Sequence, residues 1–164
     1  MVAWWKTWEV NVNGVYLASR AVLKRKMKRD PQNKTKLHII TTTSSGGLST
    51  RAGWSAYRPS KTAVNRFVEH IVEEYGDKGV VAHAFHPGAV PTALAKSRHS
   101  PAEVARLADT PELAGGFVLW LCSSEEADVL AGRFLIANWD VTELLQAIKD
   151  GALKQDTLKF RAFA

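Results

Sequence analysis

Two short runs rich in β-branched and apolar residues, Leu37 to Thr43 and Val80 to Phe85, bracket a stretch of helical periodicity. That alternation restricts the fold more than any other feature of the chain. Between the runs, Val64, Phe67, Val68 and Ile71 recur at the spacing of one helix face, which predicts a helix over Ser55 to Tyr75 with Gly76 as its stop. Short apolar strands that alternate with helices belong in a parallel sheet layered by helices. The pattern extends in both directions. Residues from about Trp5 to Met27 predict a helix whose apolar positions, Trp8, Val12, Val15, Leu17, Val22 and Leu23, are loose enough for burial on more than one side. Downstream, helices are expected near Pro101 to Ala108, over Pro111 to Cys122 and over Val141 to Lys149, with a third strand around Arg133 to Ile136. Asp30 to Lys36 reads as a polar loop.

At 164 residues the chain fits one domain, 1–164, that can bury a core. No apolar run approaches the roughly 18 residues that span a bilayer, and Met1 to Lys6 lacks the build of a signal peptide, so a cytoplasmic location and no membrane partner are expected. The single Cys122, set in Phe117 to Cys122, reads as a small buried apolar side chain. A net charge of +6 raises the question of nucleic acid. The densest charge, Lys24-Arg25-Lys26-Met27-Lys28-Arg29, ends a predicted helix just before Asp30-Pro31, where cations are favoured by the helix dipole. No aromatic residues are interleaved for base stacking, so a solvated last turn is expected and nucleic acid is not. His38, His70, His83, His86 and His99 lie on different elements without partners at ligand spacing, so no metal is expected; His70 and His83 read as packing residues.

Chemistry concentrates in Tyr57-Arg58-Pro59-Ser60-Lys61. With Pro59 in the first turn of a helix, Tyr57 and Lys61 stand one turn apart on one face. An ammonium group beside a phenol, whose pKa in water is about 10, favours the phenolate and suits the pair to acid/base work. Upstream, Ser44 to Trp54 is a Ser/Gly/Thr-rich loop after a strand, where α/β folds place their chemistry.

Four motifs in order give the chain a resemblance to the short-chain dehydrogenase/reductase family: Trp8-Glu9-Val10-Asn11-Val12-Asn13-Gly14, Ile39 to Gly47 with Ser44-Ser45-Gly46-Gly47, Tyr57 to Lys61, and His86-Pro87-Gly88-Ala89-Val90-Pro91-Thr92. Gly132 to Asp140 is similar to the tail of fungal members. The resemblance implies an α/β, partial Rossmann-like three-layer fold, with helices on both faces of a parallel sheet. The glycine-rich Gly-x-x-x-Gly-x-Gly turn that cradles pyrophosphate in the family is found nowhere in the sequence, so the chain is expected to correspond to the second half of that fold, lacking the N-terminal β-α-β half.

The resemblance also implies roles. Tyr57 would exchange a proton with a carbonyl or alcohol oxygen as hydride passes to or from nicotinamide, with NADP or NAD as coenzyme. Ser44 would polarise that oxygen, with Ser45 as its competitor. Lys61 would assist Tyr57 and hold the nicotinamide ribose, and Asn11 would extend the proton path, with Asn13 a weaker choice. Pro87, Gly88, Val90 and Thr92 would contact the cofactor. Trp54, Ala93, Leu94 and the helix near Pro101 would line a pocket for an apolar carbonyl compound. Partners expected by the same reasoning are a small carbonyl or alcohol substrate and a second copy or a full-length homologue. The alternative is a non-catalytic remnant that acts by pairing with such a homologue.

Overall fold

The structure, a computed structural model, describes residues 2–152, 154 and 156–160. Three strands, β1 (Leu37–Thr42), β2 (Val80–His86) and β3 (Phe134–Ile136), form a parallel sheet in the order β1-β2-β3. Leu37 pairs with Val80 and Thr42 with Phe85, while Ala84 pairs with Phe134. The other edge of β1 carries no strand among the described residues.

Side-chain alternation along β2 assigns the two faces. Val80, Ala82 and Ala84, with Ile39 of β1, pack against Leu23, Val68 and Ile71 from helices α2 (Gly14–Arg29) and α3 (Tyr57–Tyr75). Phe85 and Leu135 point the other way, into a cluster with Phe117 and Leu121 of α6 (Pro111–Ser123) and Leu144 of α7 (Val141–Lys149). The fold is therefore α/β with helices on both faces of a parallel sheet. Val64, Val68 and Ile71 are essentially inaccessible along one stripe of α3, and each contributes about 1.5–3 kcal/mol by leaving water. That stripe seats the helix carrying Tyr57 and Lys61. Two short helices, α4 (Ala93–Arg98) and α5 (Pro101–Val104), follow β2. No helix is long and apolar enough to cross a membrane among the described residues.

Several expectations are corrected. The first predicted helix is α1 (Val2–Trp8), a π-helical segment Glu9–Asn13, and α2. It buries one side only: Leu23 is in the core, but Leu17 and Val22 are exposed. α3 ends at Tyr75 with Gly76 as its C-cap, as expected, but Gly76 stays right-handed at φ −61°, and the left-handed turn comes at Gly79, with φ +72°, after a 3-10 turn Gly76–Lys78. The helix expected over Pro101 to Ala108 is only α5, and α4 was not expected. Cys122 is exposed, since α6 buries Phe117 and Leu121 and the next residue is rotated by about 100° off that stripe. His70 is likewise exposed, whereas His83 is fully buried. In the basic run Lys26 is buried, not solvated, with its ammonium on Asp30 at 2.5 Å and the Thr35 carbonyl at 2.6 Å. That hydrogen bond from Lys26, with others from the Lys34 and Thr35 amides, holds the Asp30 carboxyl well below the usual carboxylate range.

Candidate active site

The carboxyl ends of β1 and β2 and the N-terminus of α3 meet at a cavity of about 930 Å³, the position where open α/β sheets bind ligands. Asn11, Ser44, Tyr57, Pro87, Gly88, Val90 and Thr92 all line it. Lys61 stands one turn behind Tyr57, its Nζ 5.7 Å from the Tyr57 ring centroid.

Each position has a local cause. Tyr57 is the first residue of α3, so Pro59 falls in the first turn, where its missing N–H breaks no helical bond. Ser44 is extended (φ −158°, ψ 144°), and its Oγ accepts the Gly46 amide at 3.1 Å to cap a 3-10 turn, Ser45–Leu48. Capping uses an acceptor lone pair and leaves the hydroxyl proton free to donate. Ser45 also lines the cavity but is more exposed.

Three hydrogen bonds weld this loop to α3. Thr43 Oγ1 donates to the Lys61 carbonyl at 3.2 Å, Thr62 Oγ1 to the Gly47 carbonyl at 2.6 Å, and Lys61 Nζ to the Thr42 carbonyl at 3.1 Å. The approach is close enough that a Cβ on Gly47 would meet the Thr62 nitrogen at 3.1 Å and Lys61 atoms at 3.2 Å. Burial pushes the Lys61 ammonium below its ordinary pKa.

Asn11 occupies the middle of the π-helical segment, where the Gly14 amide reaches back to the Glu9 carbonyl. Such bulges recur at functional positions. Asn11 Nδ2 donates to Ser60 Oγ at 3.0 Å, and Ser60 Oγ donates to the Tyr57 carbonyl at 2.6 Å. Asn13 points into a groove on the outer side, lined by Val2, Trp5 and Tyr16, and not into the cavity.

After β2, Gly88 has φ +93° and faces Asp109, whose Oδ2 would lie 2.7 Å from any Cβ there. Asp109 accepts the Ala89 amide on Oδ2 and the Asn138 side-chain amide, at 2.7 Å, on Oδ1, and its own N–H donates to the Ala89 carbonyl at 3.2 Å. Burial pushes His86 below its ordinary value, with Asp109 opposing. Thr92 Oγ1 caps α4 by accepting the Ala95 amide at 3.1 Å.

Of the pocket residues expected, Trp54 and Leu94 line the cavity, while Ala93 and Pro101 do not; Arg98, His99 and Leu107 take that wall. Sequence reasoning missed Ser60, which sits inside the Tyr57 to Lys61 motif, and Asp109, which no spacing or motif flags. Among the described residues no three His, Cys, Asp or Glu side chains gather to hold a metal ion.

Residues 1–103 match the family model described as short chain dehydrogenase. The chain is 42% identical to the short chain dehydrogenase mpl6 of Monascus purpureus over 97% of its own length and 52% of that protein. Among solved structures, a short chain dehydrogenase from Salmonella enterica serovar Typhi superposes with a TM-score of 0.67 at 25% identity, covering 83% of this chain and 53% of the other. One from Escherichia coli CFT073, complexed with NADPH, gives the same TM-score of 0.67, identity of 25% and coverage of 83% and 53%. The chain spans about half the length of the curated relatives it matches. A matching family model over most of the chain, and the same parallel sheet with helices on both faces, have one conclusion: the chain belongs to the short chain dehydrogenase family.

Proposed function

We propose that this chain carries the proton-transfer and nicotinamide-side part of an NAD(P)-dependent oxidoreductase site that interconverts a carbonyl compound and an alcohol. The reading rests on the convergence of Ser44, Tyr57 and the Pro87-Gly88 turn on one cavity, with Lys61 behind Tyr57. The NADPH bound by the E. coli relative supports a nicotinamide coenzyme, NADP or NAD.

The residues fit such a group by their donors. Lys61 commits one N–H to Thr42 and keeps two for ribose hydroxyls. Thr92 uses its oxygen as a cap acceptor and keeps its proton for a cofactor amide or phosphate. Pro87 and Val90 give the turn an apolar wall, and Gly88 brings backbone close. A bound nicotinamide supplies or receives the hydride. The Ser44 hydroxyl donates to the substrate oxygen and polarises the carbonyl, and the Tyr57 phenol delivers its proton there as negative charge develops. In the oxidative direction the phenolate takes that proton back. The Lys61 cation stabilises the phenolate. Asn11 holds Ser60, which fixes the first turn of α3 and so the Tyr57 backbone.

Fluorescence titration with NADPH and NADH, followed by an aldehyde-reduction assay, tests the proposal. Tyr57→Phe is expected to keep coenzyme binding and lose turnover. A cooperatively folded chain that binds neither coenzyme would refute it.

A second reading, pairing with another copy or a full-length homologue, is favoured by one observation. Val2, Trp5, Val10, Tyr16 and Leu17 are exposed along the α1–α2 helix, with Trp5 62% and Val10 60% accessible. Light scattering at micromolar concentration tests it, and a monomer that stays monomeric with added homologue rejects it.

A further inference from the structure

The cavity beside Tyr57 is lined by Lys6, Arg58, Arg98 and His99, and by no aspartate or glutamate among the described residues. Two arginines elsewhere are matched: Arg51 pairs with Glu103 and Arg66 with Glu69, each at 2.9 Å. Lys6 itself pairs with Glu9 at 2.9 Å. The two cavity arginines differ. Arg58 donates to the neutral Ser49 hydroxyl at 2.7 Å, and its guanidinium lies 5.8 Å from the Trp54 ring centroid. Arg98 pairs with no carboxylate among the described residues, although nearby Glu103 engages both Arg51 and, at 3.7 Å, His99. The same cavity presents an aromatic wall, with Trp54 edge-on to Tyr57 at 5.7 Å and tilted against His99 at 5.4 Å.

Building on the oxidoreductase reading, we propose that the site takes an aromatic carbonyl compound bearing a carboxylate or comparable anion, its ring against Trp54 and its charge received by Arg58 and Arg98. A flat ring gains contact area on Trp54 at little entropic cost. A guanidinium matches a carboxylate geometrically. A neutral ligand filling the cavity would take water from both arginines and return no counter-charge. The apolar pocket expected from sequence is thereby refined, because Trp54 and Leu94 supply the apolar wall and the arginines select the sign of the substrate's charge.

The anion could also belong to the coenzyme's phosphates, and the experiment separates the two sources. Calorimetry on the intact chain uses 6-formyl-2-naphthoate and its methyl ester as probes, together with NADPH. The acid is expected to bind about tenfold or more tightly than the ester, the size of one charge-assisted hydrogen bond. In the Arg58→Gln/Arg98→Gln double variant that preference should fall to about threefold or less, with the ester's affinity and the unfolding midpoint kept. Equal binding of acid and ester, binding of neither, or a preference that survives in the double variant overturns the proposal. So does a double variant that loses NADPH affinity while still preferring the acid, since the arginines would then serve the dinucleotide. Binding needs no turnover. An acid preference without reduction would therefore count against the oxidoreductase reading and leave the pocket chemistry standing.

Discussion

The Lys61 ammonium lies 5.7 Å from the centroid of the Tyr57 ring while it donates to the Thr42 carbonyl at 3.1 Å, so one side chain faces the phenol and ties β1 to α3. Burial lowers its pKa, which means its charge is lost earlier as pH rises than in a free lysine. Activity that depends on this cation should fall on the alkaline side at a pH under lysine's usual range. Lys61→Arg, which stays charged, should move that limb upward, and Lys61→Met should reduce kcat by about a hundredfold or more. A pH–rate profile of the three proteins checks this. An alkaline limb that does not move in Lys61→Arg would remove Lys61 from the proton chemistry.

Asn11 and Ser60 form a chain with a fixed direction. Ser60, fully buried, has one proton and gives it to the Tyr57 carbonyl, so its oxygen can only accept from Asn11. Asn11→Ala removes that donor and should destabilise by about 1 kcal/mol, partly offset by better helix propensity. Asn11→Asp should be worse, because a carboxylate cannot donate and would face the Ser60 lone pairs. Thermal unfolding should rank wild type above Asn11→Ala above Asn11→Asp, and a reversed order of the two variants would break the assignment of direction.

Gly47 and Gly53 lie in one loop and predict opposite mechanisms. At Gly47 a methyl group meets backbone and Cβ of Lys61 and Thr62 at 3.1 to 3.2 Å. Gly47→Ala must push the Ser44 loop off α3, at a cost of about 1–3 kcal/mol and with reduced turnover. At Gly53 nothing lies within 4 Å, and only its φ of +80° opposes a side chain. Gly53→Ala should lower stability by about 1 kcal/mol and spare kcat. Chemical denaturation with parallel kinetics separates them.

The sequence made legible whatever was carried by period and by short contiguous motifs. Strands Leu37–Thr42 and Val80–His86 and the body of α3 follow from residue spacing alone. The family motifs brought Ser44, Tyr57 and the Pro87 turn to one cavity because each is anchored to a strand end or a helix start. What stayed hidden depends on contacts distant in sequence. Lys26 looked solvated because its partners, Asp30 and the Thr35 carbonyl, close on it only after the loop folds back. Cys122 looked buried because an apolar run says nothing about which side of α6 meets the sheet. The π-helical turn at Asn11 has no periodicity of its own in so short a segment.

His83 provides a pH signature separable from the surface carboxylates. It is fully buried on β2, and burial pushes it down to about 4 from 6.5. Between those values the unfolded chain binds a proton that the folded chain refuses. Stability is therefore full above pH 6.5 and falls as the pH drops towards 4, by an amount on the order of 3 kcal/mol. Glu103, lowered to about 2 from 4.5 chiefly by its hydrogen bond from the Ser100 amide, acts in a lower window. Urea midpoints measured from pH 7.5 to 4.5 should slope downward in wild type and flatten in His83→Gln. An unchanged slope in the variant would assign the acid sensitivity elsewhere.

Asp109 reaches back twenty residues to brace the turn at Gly88 and Ala89, and simultaneously holds Asn138 beyond β3. Its carboxylate accepts from both, so Asp109→Asn places an amide donor against either the Ala89 N–H or the Asn138 amide. The turn should loosen, with hydrogen exchange at Ala89 accelerating about tenfold or more, while the core, which Asp109 does not touch, keeps its protection. The double variant Asp109→Asn/Asn138→Asp restores one donor facing one acceptor on each side and should recover most of the lost protection. Exchange at Ala89 that is the same in wild type and Asp109→Asn would show that the turn is rigid without its brace, and the left-handed Gly88 would then be held by the Pro87 ring and β2 alone.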